Sequence, residues 1–104
     1  MTDERQTQAT RFHALADPVR LEVLERLADG PSCVCDLRDA LGIAGNLLSH
    51  HLKVLRESGL VTSERHGRWV TYHLDAAALA TLAASVPGAS PEASPNASPQ
   101  LVRA

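Results

Sequence analysis

A mostly helical domain carrying one β-hairpin is predicted by three features of this chain. Aromatic residues are scarce, with one Phe, one Trp and one Tyr in 104 residues. The core must therefore be built from Leu, Val and Ala, which favours packed helices over a sandwich. Apolar residues recur at helical spacing in successive stretches between Phe12 and Leu55, whereas β-branched and aromatic side chains gather only in Leu60–Leu74, around a His66-Gly67 turn signal.

The elements follow in order. Thr10 to Leu15 closes a first helical segment, and Asp17-Pro18 reads as an N-cap followed by proline at the first helical position. The second helix carries Val19, Val23, Leu24 and Leu27 as its apolar stripe, and Gly30-Pro31 ends it. A third helix begins near Cys33 and runs through Leu37, Ala40 and Leu41 to Gly42, a C-terminal glycine. Ile43-Ala44 makes a short turn into a helix from about Gly45 to Ser58, with Leu48, Leu52 and Leu55 inward and Gly59 as its stop. Two short helices joined by a tight turn form a helix-turn-helix. Strands at Leu60–Glu64 and Arg68–Leu74 come next, with Trp69 expected to anchor the hairpin to the body. Asp75 then caps a last helix, Ala76 to Val86, with Leu79, Leu82 and Val86 on one side. A hairpin directly after a helix-turn-helix is the plan of a winged helix. Residues 1–86 form this domain, and the Pro-, Ser- and Ala-rich stretch 87–104, with a proline every four residues from Pro87 to Pro99, reads as a disordered tail.

No apolar run approaches the roughly 20 residues that span a bilayer, and Met1–Gln8 has no signal-peptide core, so a cytoplasmic protein is expected. The net charge of −2 does not point to nucleic acid. Its distribution does: acidic residues are dense before residue 40, whereas Lys53, Arg56, Arg65 and Arg68 fall in one later stretch. On the Gly45–Ser58 helix, Asn46, Leu47, Ser49, His50 and Lys53 lie opposite the apolar stripe. In a major groove Asn46 suits adenine, Ser49 either base edge, and Lys53 and Arg56 the phosphates. An ordinary solvated helix face has the same composition. The hairpin with Arg65 and Arg68 that follows at once favours double-stranded DNA as partner. His51, beside the buried stripe, reads as a half-buried, hydrogen-bonded residue that orients the helix, and His13, His66 and His73 are scattered. No Ser-His-acid set, paired catalytic carboxylates or Gly-rich phosphate loop appears in a supporting context, so no enzyme is expected.

The phrase FHALADPVRLEVLERLADG, followed by CVCDL, LLSHHLKVLRESGLV and HGRWVTYHL, resembles the ArsR/SmtB family of metalloregulatory repressors over Phe12–Leu82. The resemblance implies a homodimer that binds a palindromic operator and leaves it when a metal or metalloid binds. Gly45-Asn46-Leu47 departs from the small polar residues more usual there, which bears on the operator sequence. The dimer is expected to use Phe12 and Leu15 of the first helix with Leu79 and Leu82 of the last, because those apolar faces need cover.

Cys33 and Cys35 are the only cysteines, and in a reducing compartment they are more plausible as thiols or metal ligands than as a structural disulfide. If Cys33 is the N-cap, Asp36 falls at the third helical position, the geometry of a capping box with a thiol replacing the hydroxyl. Backbone N–H groups and the positive end of the helix dipole favour thiolate there, the form that binds soft ions. Helical residues two apart point roughly 200° from each other. One ion joins both sulfurs only by unwinding the first turn, which destabilises the helix supporting the DNA-reading one. From spacing alone, two space-filling buried thiols and an ion site both stay open. The resemblance favours sensing, with As(III) or Sb(III) as inducer and no catalytic cofactor. Arg38 stands where arsenic-responsive members often carry a third cysteine, so a solvent species or small thiol supplies the third ligand. An N-terminal cysteine, as in cadmium and lead sensors, is absent before Cys33; Ala77 follows Asp75 where zinc sensors have D-x-H, and the last helix has no His. The alternatives within the fold are a redox or persulfide sensor, or a sensor of cadmium, lead or mercury.

Overall fold

The computed structural model describes residues 2–88. The tail expected at 87–104 therefore lies, beyond Pro87 and Gly88, outside the described residues. Five helices and three short strands follow in the order α1 (Thr2–Leu15), α2 (Pro18–Ala28), β1 (Ser32–Cys33), α3 (Val34–Leu41), α4 (Gly45–Glu57), β2 (Val61–His66), β3 (Trp69–Leu74) and α5 (Ala76–Ala84). The mostly helical winged helix-turn-helix read from the sequence is thus observed. Among the described residues no helix is long and apolar enough to cross a membrane.

The Asp17-Pro18 start of α2 forms as its residue types dictate. Asp17 Oδ1 accepts from the backbone N–H of Val19 at 2.8 Å and of Arg20 at 3.1 Å, satisfying two of the donors a helix start leaves free. The N–H of Arg20, ahead of that of Val19 and the nearby His51 and Arg20 side chains, holds the Asp17 carboxyl below its ordinary 3.8 against a smaller opposing effect of burial. A depressed folded value means that Asp17 contributes stability above the ordinary carboxylate value, and that this is lost as the pH falls through the folded one. Asp17→Ala should therefore lower the thermal midpoint by several degrees at neutral pH, and parent and variant should converge in strong acid. A constant gap across a calorimetric pH series would contradict this.

Helix α3 ends at Gly42, whose φ of 65° is the left-handed conformation expected of a C-terminal glycine. The core gathers between the helices and one face of the sheet, with Val23, Leu37, Leu48, Leu52, Leu55, Leu60 and Val61 fully buried.

The sheet departs from the sequence reading. It has three antiparallel strands in the order β1-β3-β2, because Ser32 and Cys33 pair with Tyr72 and Thr71. In the hairpin, His66 pairs with Trp69. The two-residue loop is therefore Gly67-Arg68 rather than His66-Gly67, with the positive φ of 64° at Gly67. Trp69 is not the anchor of the wing: it is 55% exposed. Strand alternation puts Val70, Tyr72 and Leu74 toward the core and Trp69 on the opposite face, and the buried Tyr72 is the anchor. Helix α5 is capped by Asp75, which accepts from Ala78 N at 3.0 Å. It stops at Ala84, leaving Val86 exposed beyond its end, while Leu82 is buried in the core.

Candidate nucleic-acid interface and thiol pair

Leu48, Leu52 and Leu55 bury one side of α4 and so present the other. Asn46, Leu47, Ser49, His50, Lys53 and Arg56 are all exposed on it. The residues singled out for base and phosphate contact thus share one solvent-facing helix. Its C-terminal end is tied down by Arg11, whose Nε donates to Ser58 O at 2.9 Å. Arg65 and Arg68 are also exposed, on β2 and in the hairpin loop. The outward face of the hairpin holds Glu64, whose Oε1 lies 3.4 Å from the Nε2 of both His66 and His73.

His51 is more buried than the sequence suggested, at 6% exposure, and its Nδ1 lies 3.0 Å from Arg20 Nη1. Arg20 is a residue that sequence reasoning missed. The signal was present: Val23, Leu24 and Leu27 lie three, four and seven residues after Arg20, which puts it on the buried face of α2.

Cys33 is half-buried, with extended backbone, at the junction of β1 and α3; Cys35 is exposed in the first turn of α3, and both thiols are free. The thiol capping box is not formed, since Cys33 makes no side-chain cap hydrogen bond, in keeping with the weak acceptor strength of sulfur. Two soft donors therefore stand at one helix start. Among the described residues no three His, Cys, Asp or Glu side chains are grouped to hold a metal ion, so the chain offers two positions to a thiophilic ion rather than a closed site. Arg38 points away along α3 to the start of α4, its Cδ 3.7 Å and Nη1 3.8 Å from where a Cβ on Gly45 would stand.

The residues expected at a dimer contact divide. Phe12 is exposed, Leu15 and Leu79 are half-buried, and Leu82 is consumed by the core of its own protomer. Leu15 and Leu79 join Leu21, Leu24 and Leu74 in lining an apolar groove.

Residues 17–63, from the cap of α2 into β2, match the model of a family described as "Bacterial regulatory protein, arsR family". The homodimeric winged helix-turn-helix DNA-binding domain of a possible ArsR-family regulator from Mycobacterium bovis superposes with a TM-score of 0.72 at 30% identity, covering 78% of this chain and 75% of that one. The chain belongs to the arsR family. This arsR-family chain is also similar to the transcriptional regulator NmtR of Mycobacterium tuberculosis, 43% identical over 74 residues, 71% of this chain and 62% of the relative. The arsenical resistance operon repressor of Bacillus subtilis is 42% identical over 66 residues, covering 62% of this chain and 63% of the relative. The chain thus spans somewhat under two thirds of the length of these two relatives. Their names are those of transcriptional regulators, and the arsR-family chain is placed among DNA-binding regulators rather than enzymes.

Proposed function

We propose that the chain is a cytoplasmic, metalloid-responsive transcriptional repressor that binds double-stranded operator DNA as a homodimer and is released when As(III) or Sb(III) joins the Cys33 and Cys35 thiolates. The observation that carries this reading is the double position of Cys33, which ends β1 and caps α3. An ion that draws Cys33 and Cys35 together strains the first turn of α3, which precedes the DNA-reading helix. It also strains the Cys33–Thr71 pairing that ties β1 to the wing strand. Both DNA-facing parts are thereby joined to one pair of sulfurs, so a ligand that prefers the distorted state disfavours the DNA-bound one. Similarity to a repressor named for arsenical resistance supports the choice of ion.

The test is to titrate the protein, bound to a duplex it selects from a random-sequence pool, with arsenite, antimonite, cadmium, lead and zinc. Release by arsenite or antimonite at the lowest concentration is expected; release by none of them removes the metalloid reading. A second reading is favoured by the exposure of Cys35, which leaves a free thiol open to oxidants and persulfides. Mass spectrometry separates a covalent sulfur bridge from reversible ion binding.

In this reading Asn46 and Ser49 meet base edges with Leu47 and His50 beside them, and Lys53, Arg56, Arg65 and Arg68 meet phosphates or the minor groove. Replacing Arg65 and Arg68 by Ala should weaken binding and flatten the dependence of log affinity on log salt by up to about 1.8, roughly 0.9 for each phosphate lost. An unchanged slope would show that the wing does not touch DNA.

A further inference from the structure

We propose that Arg20 and His51 are the positioning pair of the DNA-reading helix, and that they hold α4 in register only while His51 is neutral. The proposal rests on α4 being the DNA-reading helix.

Arg20 is a buried cation, 8% exposed. Its Nε donates to Ala14 O at 2.7 Å, and its Nη1 lies 3.0 Å from His51 Nδ1. A guanidinium has donors only. Nδ1 of His51 must therefore be the acceptor, with the ring proton on Nε2, so the partner dictates the tautomer. One side chain thereby joins the end of α1, the body of α2 and the middle of α4. The other contacts on this side of α4 come from Leu48, Leu52 and Leu55. Apolar packing is non-directional, whereas a buried hydrogen bond to a fixed guanidinium is directional and costly to leave unmade. The bond thus fixes how α4 is turned about its axis, and with it the direction of Asn46, Ser49 and Lys53.

A proton on Nδ1 would set donor against donor and place two cations about 3 Å apart out of water. The charged and titratable groups facing His51 are Arg20, the Asp17 carboxylate, with Oδ1 at 3.9 Å, and His50, whose ring centroid is 5.7 Å away. Asp17 Oδ1 already accepts from the backbone N–H groups of Val19 and Arg20, so the carboxylate cannot take over the role of Arg20 without uncapping α2. Protonation therefore breaks the pair, and the reading face of α4 is lost as an aligned surface.

The experiment compares the full chain with His51→Asn and His51→Leu by fluorescence anisotropy, on a labelled duplex the parent selects from a random pool, from pH 8 down to about pH 5, the range in which imidazoles titrate. An Asn Oδ1 stands close to where His Nδ1 does and accepts without titrating; Leu fills the space and leaves Nη1 unpaired. At pH 8, His51→Asn should bind within about threefold of the parent and His51→Leu at least about tenfold more weakly, the equivalent of one lost buried hydrogen bond. On acidification the parent should lose affinity more steeply than His51→Asn, which retains His50, His66 and His73 and so carries their share of any pH effect. The imidazole nitrogen spectrum of the parent at pH 8 should show His51 as the Nε2–H tautomer, independently of how the Leu variant folds. An Nδ1–H tautomer, parental affinity in His51→Leu, or parallel pH curves for parent and His51→Asn would each overturn the pair. A parent that selects no duplex at pH 8 would instead remove the DNA-binding reading beneath it.

Discussion

Replacing both thiols, as Cys33→Ser with Cys35→Ser, is expected to leave operator binding intact and to abolish release by arsenite or antimonite. The structure makes these substitutions mild. Cys33 makes no side-chain cap hydrogen bond, so nothing is lost at the cap, and a serine hydroxyl is among the better N-cap acceptors. Cys35 is exposed, so its replacement leaves no cavity. A hydroxyl is a poor ligand for a soft ion, so the inducer loses both of its donors. Coupling free energies between sites are typically about 1 to 3 kcal/mol, or roughly 5- to 150-fold in affinity. The parent should weaken on DNA by a factor in that range when the ion is added, and the double variant by none. Anisotropy with and without the ion measures both. Release of the variant at the parental ion concentration would place the inducer site elsewhere. Single variants add information, because Cys33 alone touches the β1–β3 pairing: Cys33→Ser should remove more of the response than Cys35→Ser if the wing shares in the switch.

The parts of the molecule that were legible in the sequence are those set by local chemistry. Asp17-Pro18 starts a helix and Gly42 ends one because the backbone groups there need an acceptor or a left-handed turn, whatever the rest of the chain does. The reading face of α4 followed from the spacing of Leu48, Leu52 and Leu55, and the burial of His51 from its place beside that stripe. The misreadings came from non-local partners. Two residues, Ser32 and Cys33, carry no strand signal, and become a strand only because Tyr72 and Thr71 lie alongside. Trp69 was judged by its size, whereas its position at the hairpin end, opposite in parity to Tyr72, leaves it in solvent. Leu82 shares the spacing of Leu79 but reaches the core. Arg20 was hidden by its charge, although its spacing from Val23, Leu24 and Leu27 put it inside.

The variant Phe12→Glu is expected to yield a monomer whose operator affinity falls by about 10² to 10⁴, the avidity gained by linking two binding units. The reason lies in α1. That helix runs from Thr2 to Leu15, yet Ala14 is its only fully buried residue among those whose burial is described. Isolated helices of this length are marginal in water. Its ties to the rest of the protomer collect at its C-terminal end, where Arg11 donates to Ser58 O and Ala14 O accepts from Arg20. A second copy laid against Phe12, with the half-buried Leu15 and Leu79 nearby, would supply the missing cover, while Leu82 has no surface left to contribute. Since Phe12 is 38% exposed and outside the buried core, a glutamate there should leave the protomer folded, and glutamate suits a helix. In a two-fold dimer each substitution is repeated across the axis, so two like charges would oppose each other at the contact. Sedimentation at micromolar concentration reports the assembly, circular dichroism the fold, and anisotropy the affinity. A folded Phe12→Glu variant that sediments and binds DNA as the parent does would remove α1 from the interface.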